Sequence, residues 1–238
     1  MNGYKGIVGG IAAIATLALF GCETTFDTGF DGNADSSVDT FNGPVVGRIK
    51  GMVNLPDGAP IEGVTVTVQG LDATAETDVN GYYELIDVSP GDTIVRFTKR
   101  GYTTNIRDTE IAGWETRTLN ARLLEVDAMR VLGSDVGGRV QTPELKIDFP
   151  AGAYVSKEDG RPLNGEVEVA VTHIDPTTDE IWAAPNDFTA LAGPDITTVG
   201  LMSYAMVDVQ MSVGGVEAEL ADEASAMVEL VIPDELPD

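Results

Sequence analysis

Val64, Val66 and Val68 alternate with Thr65, Thr67 and Gln69. A β-strand sends successive side chains to opposite faces, so this run is a strand with one apolar and one polar side. The period of two returns in Leu145, Ile147 and Phe149, set against Glu144, Lys146 and Asp148. It returns in Val167, Val169 and Val171 against Glu166, Glu168 and Ala170, then in Val207, Val209, Met211 and Val213, and in Val228, Leu230 and Ile232. Turn formers at LPDGAP, DVNG, SPGD and KRGY punctuate the first part, dividing it into about seven short strands. The pattern predicts an all-β chain of two tandem antiparallel β-sandwiches, residues 45–124 and 130–238, each sheet wet on its outer side. Residues 175–195 lack a clear period and read as a loop excursion.

The N-terminus differs in kind. Lys5 precedes an uncharged apolar run over residues 6–20. The run is short for a membrane span and fits a signal-peptide core. It ends in Leu19-Phe20-Gly21-Cys22. LFGC resembles a bacterial lipobox, with Phe20 where Ala or Ser is usual. The resemblance implies a signal peptide over residues 1–21, cleavage before Cys22, and acylation of that residue. Glu23, where an Asp would be the retention signal, implies the outer membrane. Residues 22–44 are rich in Asp, Gly, Ser and Thr, too polar to order themselves, and read as a flexible acidic linker. Asp31, Asn33 and Asp35 have the alternate spacing of calcium ligands but lack the rest of such a loop.

The remaining composition excludes several classes. The chain holds 39 acids against 14 bases, a formal charge of −25, which argues against a nucleic-acid partner. It holds one Cys and one His. That leaves no four-ligand zinc site of the usual Cys/His kind and only His173 for any relay. His173, in VTHID, reads as an ordinary strand-end residue. Asp175, Asp179 and Glu180 share one loop. Paired carboxylates can run acid/base hydrolysis, but in so acidic a chain they read as solvated.

Residues 76–87, ETDVNGYYELID, mimic a calcium loop, with Gly81 at the sixth place and Glu76, Asp78, Asn80, Glu84 and Asp87 at ligand places. Asn80-Gly81 is also the dipeptide of a tight hairpin. The neighbouring words decide between them. Gly51, Val53, Asp57-Gly58, Pro60, Gly63-Val64, Thr77-Asp78, Gly81, Tyr83, Pro90-Gly91 and Gly101-Tyr102 resemble the carboxypeptidase regulatory-like domain, a transthyretin-like β-sandwich. The resemblance implies that TDVNGYY is turn grammar: Asp78 caps the bend, Gly81 supplies backbone freedom, Tyr83 and Leu85 point inward, and Tyr82 and Glu84 point outward. No metal and no cofactor is implied. The family's name comes from an accessory module and implies no peptidase chemistry.

GGRVQTPELKIDFPAGAY, with Gly137-Gly138 and Pro150-Ala151-Gly152-Ala153, more loosely resembles the start of ZU5-type β-sandwiches. No His-Phe-Ser triplet is present, so the self-cleavage of some such proteins is not expected. The sequence thus points to a non-catalytic envelope lipoprotein, held to the membrane through Cys22 and displaying β-sandwiches as a structural or protein-interaction scaffold. The alternative is a carbohydrate-binding surface lipoprotein that uses exposed aromatics, with Tyr82, Trp114 and Trp182 as the candidates.

Overall fold

The computed structural model describes residues 45–184, 189–192, 197–200 and 206–231. The expected signal peptide, Cys22, the expected linker over 22–44 and Ile232 lie outside the described residues. The first part of the chain forms β1 (Gly47–Asn54), β2 (Thr65–Val68), β3 (Thr74–Glu76), β4 (Tyr82–Val88), β5 (Gly91–Thr98), β6 (Asn105–Ile111), β7 (Thr116–Thr118) and β8 (Ala121–Arg122). One sheet runs β3-β2-β5-β6 and the other β4-β1-β7, with β8 also on β1. Two sheets enclose one core, as in a sandwich.

The alternation holds where it was strongest. Val64, Val66 and Val68 are all at most 4% exposed. Tyr83 and Leu85 are buried, while Tyr82 and Glu84 face out. Tyr83 meets Phe97 edge to face, with centroids 5.5 Å apart, and its hydroxyl donates to the Leu119 carbonyl at 2.6 Å. Burial pushes its phenol well above the ordinary range.

Two details differ from the sequence reading. β1 pairs antiparallel with β4 but parallel with β7 and β8. The DVNG turn is not a hairpin, because β3 and β4 belong to different sheets. It is an arch between the two layers. Asp78 Oδ1 accepts from the amides of Asn80 and Tyr82, each at 2.9 Å. Within this turn only Gly81 takes a positive φ, 74°, and a Cβ there would stand 2.5 Å from the Val53 carbonyl oxygen.

The second part forms β9 (Ala128–Gly133), β10 (Gly138–Gln141), β11 (Leu145–Phe149), β12 (Tyr154–Ser156), β13 (Glu166–Ile174), β14 (Thr189–Ala192), β15 (Thr197–Gly200), β16 (Met206–Val213), β17 (Val216–Leu220) and β18 (Met227–Leu230). A five-stranded sheet, β12-β17-β16-β13-β9, faces a three-stranded one, β10-β11-β18. Their core gathers Val140, Leu145, Ile147, Tyr154, Val167 and Val169. All strand pairs of this part are antiparallel.

The sheet is not wet along its whole outer side. Ala170 and Thr172 lie on the outward register of β13 yet are 8% and 1% exposed, because that face meets the first part of the chain. Val228 departs the other way. Its period points it inward, but it sits on β18 at the margin of the three-stranded sheet and is 44% exposed. Of the span 175–195, the described residues 175–184 and 189–192 are more ordered than a loop, and the rest lie outside the described residues. A 3-10 turn spans Asp179–Ala183, and β14 pairs antiparallel with β15.

Candidate functional site

The two parts meet through a linker that is hydrogen-bonded along its length. The Thr103 amide donates to the Leu124 carbonyl at 2.8 Å, and the Leu124 amide returns to Thr103 Oγ1 at 2.9 Å. Val126 donates to Gly101 at 3.0 Å, and Asp127 donates to Val171 at 3.0 Å. Asp127 Oδ2 accepts from the His173 amide at 2.7 Å. Leu124, Ile174, Ala183 and Ala184 form a small apolar cluster of their own beside it. Asn105 Nδ2 donates to the Ala183 carbonyl at 2.9 Å, and Arg107 Nη2 donates to that of Trp182 at 2.7 Å. Residues fixed by such bonds on both sides have little freedom to swing.

Beside this seam lies a cleft of about 530 Å³. One wall is the outer face of β5 and β6 with the turn after β5. The other is the outer face of β13, β16 and β17. Two ion pairs cross it. Arg96 Nη2 meets Glu217 Oε1 at 2.5 Å. Arg100 grips Glu168 bidentately, at 3.2 and 2.7 Å. The Arg100 guanidinium holds the Glu168 carboxyl below the usual carboxylate range.

Deeper in, Gln210 Nε2 donates to the Tyr102 carbonyl at 3.0 Å and to Asp208 Oδ2 at 2.7 Å. Burial pushes the Asp208 carboxyl up, against the opposing pull of Gln210, of Lys157 and of the Thr104 amide. Lys157 and Ser212 also line the cleft. The arrangement offers interleaved donors and acceptors fixed on two rigid walls.

The three candidate aromatics are exposed, but they stand apart. Tyr82, 39% exposed, sits on β4 opposite Met52. The Trp114 amide donates to the Val46 carbonyl, six residues before Met52 in the chain that leads into β1, or about 20 Å away at roughly 3.3 Å per residue. Trp182 lies in the 3-10 turn beside Arg107. The structure therefore brings none of the three together into one stacking platform. Trp114 is 58% exposed and carries a φ of 66°, a left-handed conformation that is costly for a bulky side chain.

The acidic motifs have structural occupations. Asp78 spends its carboxylate on the arch, and Glu84 pairs with Arg48 at 3.2 Å. Asp175 Oδ1 accepts from the Thr177 amide and hydroxyl, which lowers its pKa. Glu180 Oε2 accepts from the Asp175 amide at 2.9 Å. Among the described residues no group of three or more His, Cys, Asp or Glu side chains is placed to hold a metal ion.

Sequence reasoning passed over the cleft residues because their alternation looked like an ordinary wet face. One signal was available. The outward positions of β13 run Glu166, Glu168, Ala170, Thr172, and the change from charged to small marks where a second surface covers the strand.

No curated protein matches the chain. Among solved structures, a type II cohesin–X-dockerin complex from Acetivibrio cellulolyticus is 24% identical over 34% of this chain, with a TM-score of 0.29, and the chain spans 58% of that relative's length. The Bacillus anthracis TIE protein is 16% identical over 54% of this chain and 27% of its own, with a TM-score of 0.32. A DUF3823 family protein from Parabacteroides merdae is 7% identical over 54% of this chain and 81% of its own, with a TM-score of 0.27. Residues 48–124, most of the first two-layer sandwich, match the family described as the carboxypeptidase regulatory-like domain.

Proposed function

We propose that the chain is a non-catalytic binding body of the bacterial envelope, attached to the outer membrane through acylated Cys22. Its partner is a protein or a glycan met on the surface of a rigid two-sandwich unit, and nucleic acid is not among its ligands. The observation that carries this reading is the linker over residues 124–127, bonded to Gly101 and Thr103 on one side and to Val171 and His173 on the other. Sandwiches that served only as loose spacers gain nothing from a locked junction. A locked junction fixes the relation between the surfaces that both parts present, which is what a recognition surface needs. The match of residues 48–124 to an accessory-domain family supports the same reading. So does the signal core ending in LFGC, followed by an acidic linker that gives reach.

The test is metabolic labelling with a palmitate analogue, followed by membrane fractionation. Wild type incorporates label and sediments with the outer membrane, and Cys22→Ser does neither. An unlabelled wild-type protein refutes the anchor, and label in the inner-membrane fraction refutes the location.

A further inference from the structure

The geometry points to the cleft between the sandwiches as the binding site for a neutral, polyhydroxylated ligand, of which a saccharide unit is the natural class. The charges that line it balance. Arg96, Arg100 and Lys157 stand against Glu168, Asp208 and Glu217, and two of each sign are already in direct contact. An anion finds no free guanidinium inside and a repelling chain of net charge −25 outside. A cation is drawn in by that outer field but finds Lys157 beside Asp208. A neutral polyol meets neither barrier.

The same lining suits hydroxyl groups, which donate and accept at once. Gln210, Ser212 and the paired carboxylates accept, while the guanidinium groups donate. Ile106, Met129 and Ala170 add apolar surface for the C–H faces of a ring. The volume of about 530 Å³ lies within the range of small-molecule sites. Both sandwiches contribute to the lining, and the pinned linker holds the walls in place, so little ordering is required on binding.

This inference rests on the chain being a binding body, but not on the lipid anchor. The experiment is calorimetric titration of the detergent-solubilised full chain with maltose, cellobiose and lactose, and with galacturonic acid and spermidine as charged probes. At least one neutral disaccharide gives a saturable isotherm. Arg100→Ala and Gln210→Ala each weaken it about tenfold or more, as loss of a hydrogen bond to a charged or buried group does.

Arg100 is 78% exposed, so its truncation leaves the fold intact even if Gln210→Ala loosens the seam. Arg139→Ala, which removes a similar ion pair from the distant β10–β11 face, leaves affinity unchanged. The inference is overturned if no neutral disaccharide saturates, or if only a charged probe binds. It is equally overturned if Trp114→Ala or Trp182→Ala abolishes binding while the cleft variants keep it. Cys22→Ser reads the anchor alone, so failure of the anchor and failure of the cleft are separable.

Discussion

Replacing Tyr83 by Ala removes the largest fully buried side chain of the first sandwich. Deleting a buried aromatic costs about 3–5 kcal/mol through lost transfer energy and the cavity left behind. Two further losses place Tyr83 in the upper half of that range. Its edge-to-face contact with Phe97, at 5.5 Å and 75°, disappears, and such pairs contribute about 0.5–1.5 kcal/mol. The Leu119 carbonyl loses the hydroxyl that lies 2.6 Å from it. Tyr83→Phe isolates that last term and should cost about 1–2 kcal/mol. Tyr82→Ala, one residue earlier and 39% exposed, should cost less than about 1 kcal/mol. The assay is urea unfolding of the three variants and wild type, followed by far-UV circular dichroism, with the slope of each transition checked for constancy. Domain stabilities are only about 5–15 kcal/mol, so Tyr83→Ala moves the midpoint far and Tyr82→Ala barely moves it. Equal shifts for Tyr82→Ala and Tyr83→Ala would refute the inside/outside assignment of β4.

Gly81→Ala should destabilise by about 2 kcal/mol or more, because a left-handed φ costs about 1–2 kcal/mol and the new Cβ meets the Val53 carbonyl oxygen; a thermal melt unchanged from wild type counts against the arch. Asp208 gives a pH prediction of definite sign. Burial raises its folded-state pKa above the unfolded value, so the folded chain holds that proton more tightly, and the stability this contributes is lost as pH rises through the raised pKa. The stability of Asp208→Asn relative to wild type should therefore grow as pH rises from the carboxylate range toward neutrality. A difference flat in pH, measured by urea unfolding at several pH values, contradicts the burial of that carboxyl.

What could be read from the chain, and what could not, divides along physical lines. A period of two encodes which side of a strand is apolar, and so Val64, Val66, Val68, Tyr83 and Leu85 were legible. It does not encode what lies beyond the other side. Ala170 and Thr172 are buried on a face that residues more than sixty positions away cross to reach Glu168 and Gln210, and only their small size hinted at it. The Asn80-Gly81 dipeptide fixes a local bend, but not the sheet that the next strand joins. Val228 has the right period, but its strand lies at a sheet margin, where burial depends on neighbours and not on alternation.

In β4 the register shifts near Asp87, which adopts a φ of 58°. The bulge leaves Asp87 exposed and Val88 buried, a change of phase that no alternation rule anticipates. The pinned linker was invisible for a different reason: most of its bonds run between backbone groups, which every residue carries. The cleft followed from that linker, and so it was hidden too.

The place of β1 in its sheet has a mechanical meaning. It is the first strand after residue 44, and it lies between β4 on one flank and β7 and β8 on the other. A pull that reaches the folded unit from its N-terminal side is therefore delivered to an interior strand. Its rungs to Tyr82–Val88 and to the short strands around Thr116–Arg122 carry the load on both flanks. An edge strand can be unzipped one rung at a time, whereas a flanked strand gives way only when rungs on both sides break together. Forced unfolding is governed by the rate of that first rupture, so the sandwich nearest the N-terminal linker takes the strain at its best-braced strand.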